Sequence, residues 1–170
     1  QGVPVEFTLL GKGPFEPELR KVATDVGLAD SIRWVSQLPQ QELFALYKTM
    51  HCFLFPSLHD SSGNVVLEAQ ANGLPVVCLD LGGPATLVTN DSAIVVGTQG
   101  VAELDVVKGL AKAISALAEN EEKRLALARA AVLNAGEKMT WESRIRGAMA
   151  LVDIDNNIGK QPRGHGGLGE

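Results

Sequence analysis

Short apolar runs alternate with segments of helical period along most of this chain, and glycine or proline stands at nearly every changeover. The first run, Val3-Pro4-Val5-Glu6-Phe7-Thr8-Leu9-Leu10, is rich in β-branched and large apolar residues. It stops at Gly11-Lys12-Gly13-Pro14, which predicts a buried strand ending in a turn. Leu19, Val22, Ala23 and Val26 then recur at helical spacing, with Pro17 suited to the first turn of a helix and Gly27 placed to stop it. The unit repeats with a strand at 32–35, a loop through Gln37-Leu38-Pro39 and a helix carrying Leu43, Leu46 and Tyr47. A strand at 52–55, a helix from about Gly63 to Asn72, a strand at 76–79 and a last short strand at 93–96 follow, with Gly73 and Pro75 marking the helix end. Strands this short and this uniformly apolar meet water on neither face, so helices must cover both. The expected fold is α/β, a doubly wound, Rossmann-like parallel sheet.

From Glu103 the pattern turns wholly helical: one helix to about Ala118, a second from Asn120 to about Gly136, and a third opened by Thr140 as its cap. These are expected to pack on the flank of the sheet. Beyond Asp153 the chain is too polar and glycine-rich to bury anything. The expectation is one domain over residues 5–152 and a mobile tail over 153–170.

The composition bounds the function classes. With 170 residues, 45% of them hydrophobic, the chain can build one real core. No apolar run reaches the roughly 18 residues of a membrane span, and the first residues lack the charged and then apolar pattern of a secretory signal, which predicts a cytoplasmic protein. The net charge of −5 is spread along the chain and leaves no footprint for nucleic acid or an anionic membrane. Cys52 and Cys78 each sit in an apolar segment with no CxxC pair and no histidine at zinc spacing, so both are expected to be reduced thiols and no metal site is expected.

In open parallel sheets ligands bind beyond the carboxyl ends of the strands. Four loops qualify: 11–14, 37–39, 57–63 and 80–84. Gly11 and Gly13 let a backbone approach a ligand, but the full GxGxxG and P-loop patterns are absent and a plain strand-to-helix turn explains them as well. The third loop, from Pro56 through His59, Asp60 and Gly63 to Asn64, enters a helix whose amino end favours anions. Asp60 in the loop and Glu68, eight residues later inside the helix, can border one cleft and accept hydrogen bonds from sugar or ribose hydroxyls. The plain alternative is that Asn64, Glu68 and Asn72, at steps of four, form a solvated stripe and that Asp60 caps the helix. His59 has no partner at metal or triad spacing, and none of Ser57, Ser61 or Ser62 lies in a GxSxG elbow.

The run from Pro56-Ser57 through Asp60, Gly63 and Glu68-Ala69 to Gly73-Leu74-Pro75-Val76 resembles the signature of the group 1 (family 4) retaining glycosyltransferases. Gly11-Lys12-Gly13-Pro14, the segment Leu43 to Tyr47, Asp80-Leu81-Gly82-Gly83 and Thr140-Trp141-Glu142 extend the likeness over nearly all of residues 5–152. The resemblance implies one half of a two-domain GT-B architecture, the half that holds the nucleotide sugar, with the acceptor held by an N-terminal domain of the same polypeptide. Any peripheral contact with a membrane would run through that other domain.

By position the resemblance implies that Glu68 binds the ribose hydroxyls and that Asp60 stands at the catalytic acid near the donor sugar. It places the amides of Gly63, Asn64 and Val65 toward the sugar and diphosphate, with Gly82 and Gly83 nearby and Gln37 and Leu38 near the base, and Gly11 and Gly13 of the early turn are further expected substrate-binding positions. It implies no cofactor, the nucleoside-diphosphate sugar being the donor substrate. Two departures stand out: Asp60 where the family has glutamate, and Thr86 where a glutamate often follows the Gly-Gly pair. The family's diphosphate-neutralising arginine and lysine belong to an earlier strand and loop, so the chain by itself is expected to bind donor weakly and to transfer nothing. The competing readings are a non-catalytic nucleotide or sugar-phosphate binding module and a fragment of a sugar-nucleotide epimerase.

Overall fold

The apolar runs become strands and the periodic segments become helices. The computed structural model describes residues 4–60 and 62–140. Ser61, the helix expected to continue from Thr140 through Trp141 and Glu142, and the segment 153–170 lie outside the described residues. In chain order the elements are β1 (Phe7–Leu10), α1 (Glu16–Asp25), a 3-10 turn (Ala29–Ser31), β2 (Ile32–Val35), α2 (Gln40–Tyr47), β3 (Phe53–Phe55) and α3 (Asn64–Ala71). They continue with β4 (Val76–Leu79), α4 (Gly82–Leu87), β5 (Ala93–Val96), α5 (Glu103–Glu119) and α6 (Glu121–Lys138).

All strand pairs are parallel, as continuous apolar runs joined by helices require. They pair as two groups, β1 with β2 and β3 with β4 with β5, where the sequence had predicted one sheet. Phe7 lies opposite Ile32 in the first group, and Val76 sits between Phe53 and Ala93 in the second.

The core belongs to the three-stranded group. Alternate residues of a strand face opposite sides, and two apolar clusters follow from that rule. On one face Val66 of α3 packs with Val76, Cys78, Ala93, Phe53 and Phe55. On the other, Ala113 and Leu117 of α5 pack with Val77, Leu54, Ile94 and Val96. Every residue of β4 is buried, as befits a central strand covered twice. A third cluster joins Tyr47 and Leu43 of α2 to Ala69 and Leu74, which brings the helix after β2 back beside β3.

Asn120 separates the two long helices and caps the second: its side-chain oxygen accepts the Lys123 N–H at 2.8 Å. Leu127 of α6 joins the α5 cluster, while Asn134 near its far end is buried against α3. There Asn134 Nδ2 donates to Gln70 Oε1 and to the Leu87 carbonyl, and Gln70 Nε2 donates to the Ser92 hydroxyl and carbonyl. The network leaves no buried side-chain polar atom unpaired among the described residues, and it ties α6, α3 and the end of α4 together. The sequence pattern had placed both long helices on the sheet flank; α5 does lie there, whereas α6 crosses to α3.

Burial pushes the Cys52 thiol up to about 12 and the Cys78 thiol up to about 11. Both are free cysteines. No helix among the described residues is long and apolar enough to cross a membrane.

Candidate functional site

The loops at 11–14, 37–39, 57–63 and 80–84 follow β1, β2, β3 and β4 respectively, so each lies beyond the carboxyl end of a parallel strand. The last of them is shorter than the sequence suggested, because α4 already begins at Gly82, with Pro84 in its first turn. A six-residue helix is too short to display a helical period, which is why the pattern there read as a loop.

Asp60 organises the loop after β3. Its Oδ1 accepts the N–H of Ser62 at 2.8 Å and of Gly63 at 2.7 Å, an Asx turn leading into α3. The Gly63 amide, and after it the Ser62 amide, hold the Asp60 carboxyl below its ordinary value. Asp60 Oδ2 carries no hydrogen bond among the described residues, so one oxygen of the carboxylate is engaged by its own loop and the other is not. The same bonds correct one expectation: the Gly63 N–H is used by Asp60 and is not a donor directed at a ligand.

The loop is locked to α4. The Asp60 carbonyl accepts the Gly83 N–H at 2.9 Å. Gly82 has φ +62°, and a Cβ there would run into that same Asp60 carbonyl oxygen. Gly63 has φ +61°, and a Cβ on it would lie 2.8 Å from Leu87 Cδ1 and 3.0 Å from the Pro84 nitrogen. Both glycines are therefore demanded twice, by left-handed backbone and by the close approach of two loops. Asp60, Gly63, Gly82 and Gly83 thus form one rigid corner at the ends of β3 and β4.

Asp80, two residues before Gly82, was not singled out as a functional residue from sequence. Its Oδ1 accepts both the hydroxyl and the N–H of Thr98, joining the end of β4 to the turn after β5, and the Thr98 hydroxyl is the foremost of the bonds that lower its carboxyl pKa. The partners stand 18 residues apart, beyond any local pattern.

Glu68 is half-buried on the second turn of α3. The Tyr47 hydroxyl is raised first by burial and then by the charge of Glu68, which puts that carboxylate toward the end of α2. Asn64, the first residue of the expected stripe, is exposed. The solvated-stripe alternative does not hold for Asn72, whose side-chain amide donates to the Glu68 carbonyl at 2.8 Å. Val65 is half-buried beside Asn64 at the start of α3.

Gly11 and Gly13 are exposed after β1, and Gln37 and half-buried Leu38 follow β2. The Gly11 N–H donates to the Val35 carbonyl, holding these two loops side by side. No hydrogen bond among the described residues joins them to the Asp60 corner, which belongs to the other strand group. His59 and Lys12 are exposed.

The profile of the family described as "Glycosyl transferases group 1" matches residues 1–120, well over half of the chain. The chain belongs to the group 1 glycosyltransferases. It is 29% identical over 154 residues to the D-inositol 3-phosphate glycosyltransferase of Corynebacterium urealyticum, a match covering 89% of this chain and 34% of that protein. It is 32% identical over 156 residues to the corresponding enzyme of Streptomyces bingchenggensis, covering 85% and again 34%. This glycosyltransferase chain thus spans about a third of the length of the curated relatives it matches.

Among solved structures it resembles Anabaena Alr3699/HepE, described in complex with UDP and glucose, with TM-score 0.71 and 22% identity over 88% of this chain and 41% of that one. The likeness is one of fold: parallel sheets with helices on both faces, as in glycosyltransferases of GT-B architecture.

Proposed function

We propose that this chain is the donor-binding part of a hexosyltransferase that uses a nucleoside-diphosphate sugar and retains the anomeric configuration. The observation that carries the reading is the locked corner of Asp60, Gly63, Gly82 and Gly83, which fixes the start of α3 at the carboxyl end of β3 with Glu68 one turn further on. A helix amino end set beside a strand end is suited to a diphosphate, because the helix dipole favours an anion there.

In this reading the first-turn amides of α3, at Asn64 and Val65, face the sugar and diphosphate, and Glu68 accepts the ribose hydroxyls. Asp60 meets the donor sugar through Oδ2, Oδ1 being engaged in the loop. Gly82 and Gly83 form the adjoining wall, and Gly11, Gly13, Gln37 and Leu38 lie toward the base. The donor carries its own leaving group, so no cofactor enters the scheme. The acceptor is held by an N-terminal domain of the same polypeptide, through which any contact with a membrane would run. The enzyme works in the cytoplasm, and this part alone transfers nothing.

The Asx turn also gives a second reading its footing: with a carboxylate oxygen used structurally, the corner suits a module that binds nucleotide or sugar phosphate without chemistry. Calorimetry with nucleoside diphosphates and their 2′,3′-dideoxy analogues tests the ribose assignment common to both. Removing the hydroxyls should weaken binding by about tenfold in the natural chain, a charge-assisted bond being worth about 1.5–3 kcal/mol, and should change nothing further in Glu68→Ala. An equal loss in both proteins contradicts the assignment. A full-length enzyme that transfers sugar favours the transferase; one that only binds favours the module.

A further inference from the structure

Helix α4 has only six residues, yet it is held at both ends. At its start the Gly83 N–H donates to the Asp60 carbonyl at 2.9 Å. The last carbonyls of a helix have no partner within it, and α6 supplies two: Asn134 Nδ2 donates to the Leu87 carbonyl at 2.8 Å and Lys138 Nζ to the Thr86 carbonyl at 3.0 Å. Leu87 Cδ1 also comes within 2.8 Å of the position a Cβ on Gly63 would take. The residue that α6 holds by its backbone therefore packs its side chain against the start of α3.

The same Asn134 grips α3 as well. Its Nδ2 donates to Gln70 Oε1 at 2.7 Å, and Gln70 Nε2 donates to the Ser92 hydroxyl at 3.0 Å and the Ser92 carbonyl at 3.2 Å. Gln70 and Ser92 are fully buried and Asn134 nearly so. Beside Asn134 on α6, Ala131 and Ala135 are fully buried too, and such small methyl groups set the spacing of two helices while doing little to fix how one slides along the other. Burying two amides costs desolvation, and an apolar pair of the same shape would hold the helices together about as well. What the directional bonds add is register.

We infer that Asn134, acting through Gln70 and Leu87, is a positioning residue for the Asp60 corner: it fixes α4 against α3 and so sets where the Gly83 N–H meets the Asp60 carbonyl. Its hydrogen bonds go to Gln70 and Leu87, 64 and 47 residues away, and not to the corner itself. The effect passes along α4 from the held Leu87 carbonyl to Gly83, and through the Leu87 side chain to Gly63. The placing of α6 is thereby felt at the ends of β3 and β4. The consequence for donor affinity rests on the proposed function; the effect on the corner does not.

The test is amide hydrogen exchange on the natural chain, on Asn134→Leu, and on the double variant Gln70→Leu with Asn134→Leu, in which an apolar pair replaces the amides so that the helices still pack. Exchange at Gly83 should quicken by about tenfold relative to Val76–Leu79 in both variants, the core strand serving as the measure of overall stability. A Gly83 rate that is unchanged, or that rises only in step with Val76–Leu79, overturns the inference. So does a natural rate regained in the double variant, since apolar filling would then serve as well as the bonds, or a double variant that does not fold, since the pair would then support the whole fold. Where Gly83 responds as expected, calorimetry with UDP, GDP and ADP should find the nucleotide that binds held about tenfold more weakly by the double variant. Unchanged affinity there contradicts the donor-binding reading and leaves the role of Asn134 in the corner standing.

Discussion

Asp60 shows how one side chain can be legible in kind and only partly legible in use. Its type and its place before a helix made both a ligand contact and a cap reasonable, and the structure gives one oxygen to the loop amides of Ser62 and Gly63. Those bonds lower the folded-state pKa. A carboxylate with a depressed folded pKa contributes stability that is fully present above its unfolded value, about 3.9, and loses it as the pH falls through the folded value. The loop is therefore held at neutral pH and should loosen only in acid. The Ser62 and Gly63 amide resonances are expected to titrate with a midpoint below 3.9; a midpoint at or above it would show that the Asx turn does not form in solution.

At the level of elements, the corner rests on the meeting of the β3–α3 loop with the start of α4. Gly82→Ala adds a Cβ at left-handed backbone and against the Asp60 carbonyl, and should cost about 2 kcal/mol or more in urea unfolding. A loss no greater than that of an exposed alanine substitution would mean that the two loops are not in contact.

The same corner marks the limit of what the residues reveal before folding. The apolar runs around Phe7, Ile32, Phe53, Val76 and Ala93 announce strands because burial on both faces leaves no other composition possible. The four site loops follow from strand ends. Helix α4 escaped notice because six residues carry no period, and the Asp80–Thr98 and Gln70–Asn134 contacts did so because their partners are 18 and 64 residues apart. Nothing in local pattern told that β1 and β3 would fail to pair, since register between distant strands is set by tertiary packing. The Gly63 amide could be assigned to a ligand until its hydrogen bond to Asp60 was seen.

Taken as a whole molecule, the chain is unevenly packed: α3, β4 and α5 enclose a dense core, while β1 and α1 keep apolar side chains in solvent. The proposed function places a nucleotide donor at the end of β3, beside the corner where the Gly83 N–H meets the Asp60 carbonyl. NMR titration of the chain with UDP, GDP and ADP tests this most directly. Saturable amide shifts at Ser62, Val65 and Glu68 with at least one nucleotide, abolished in Glu68→Ala, are the expected result. Shifts confined to other parts of the chain, shifts at these residues that survive Glu68→Ala, or none at all up to millimolar nucleotide would contradict it.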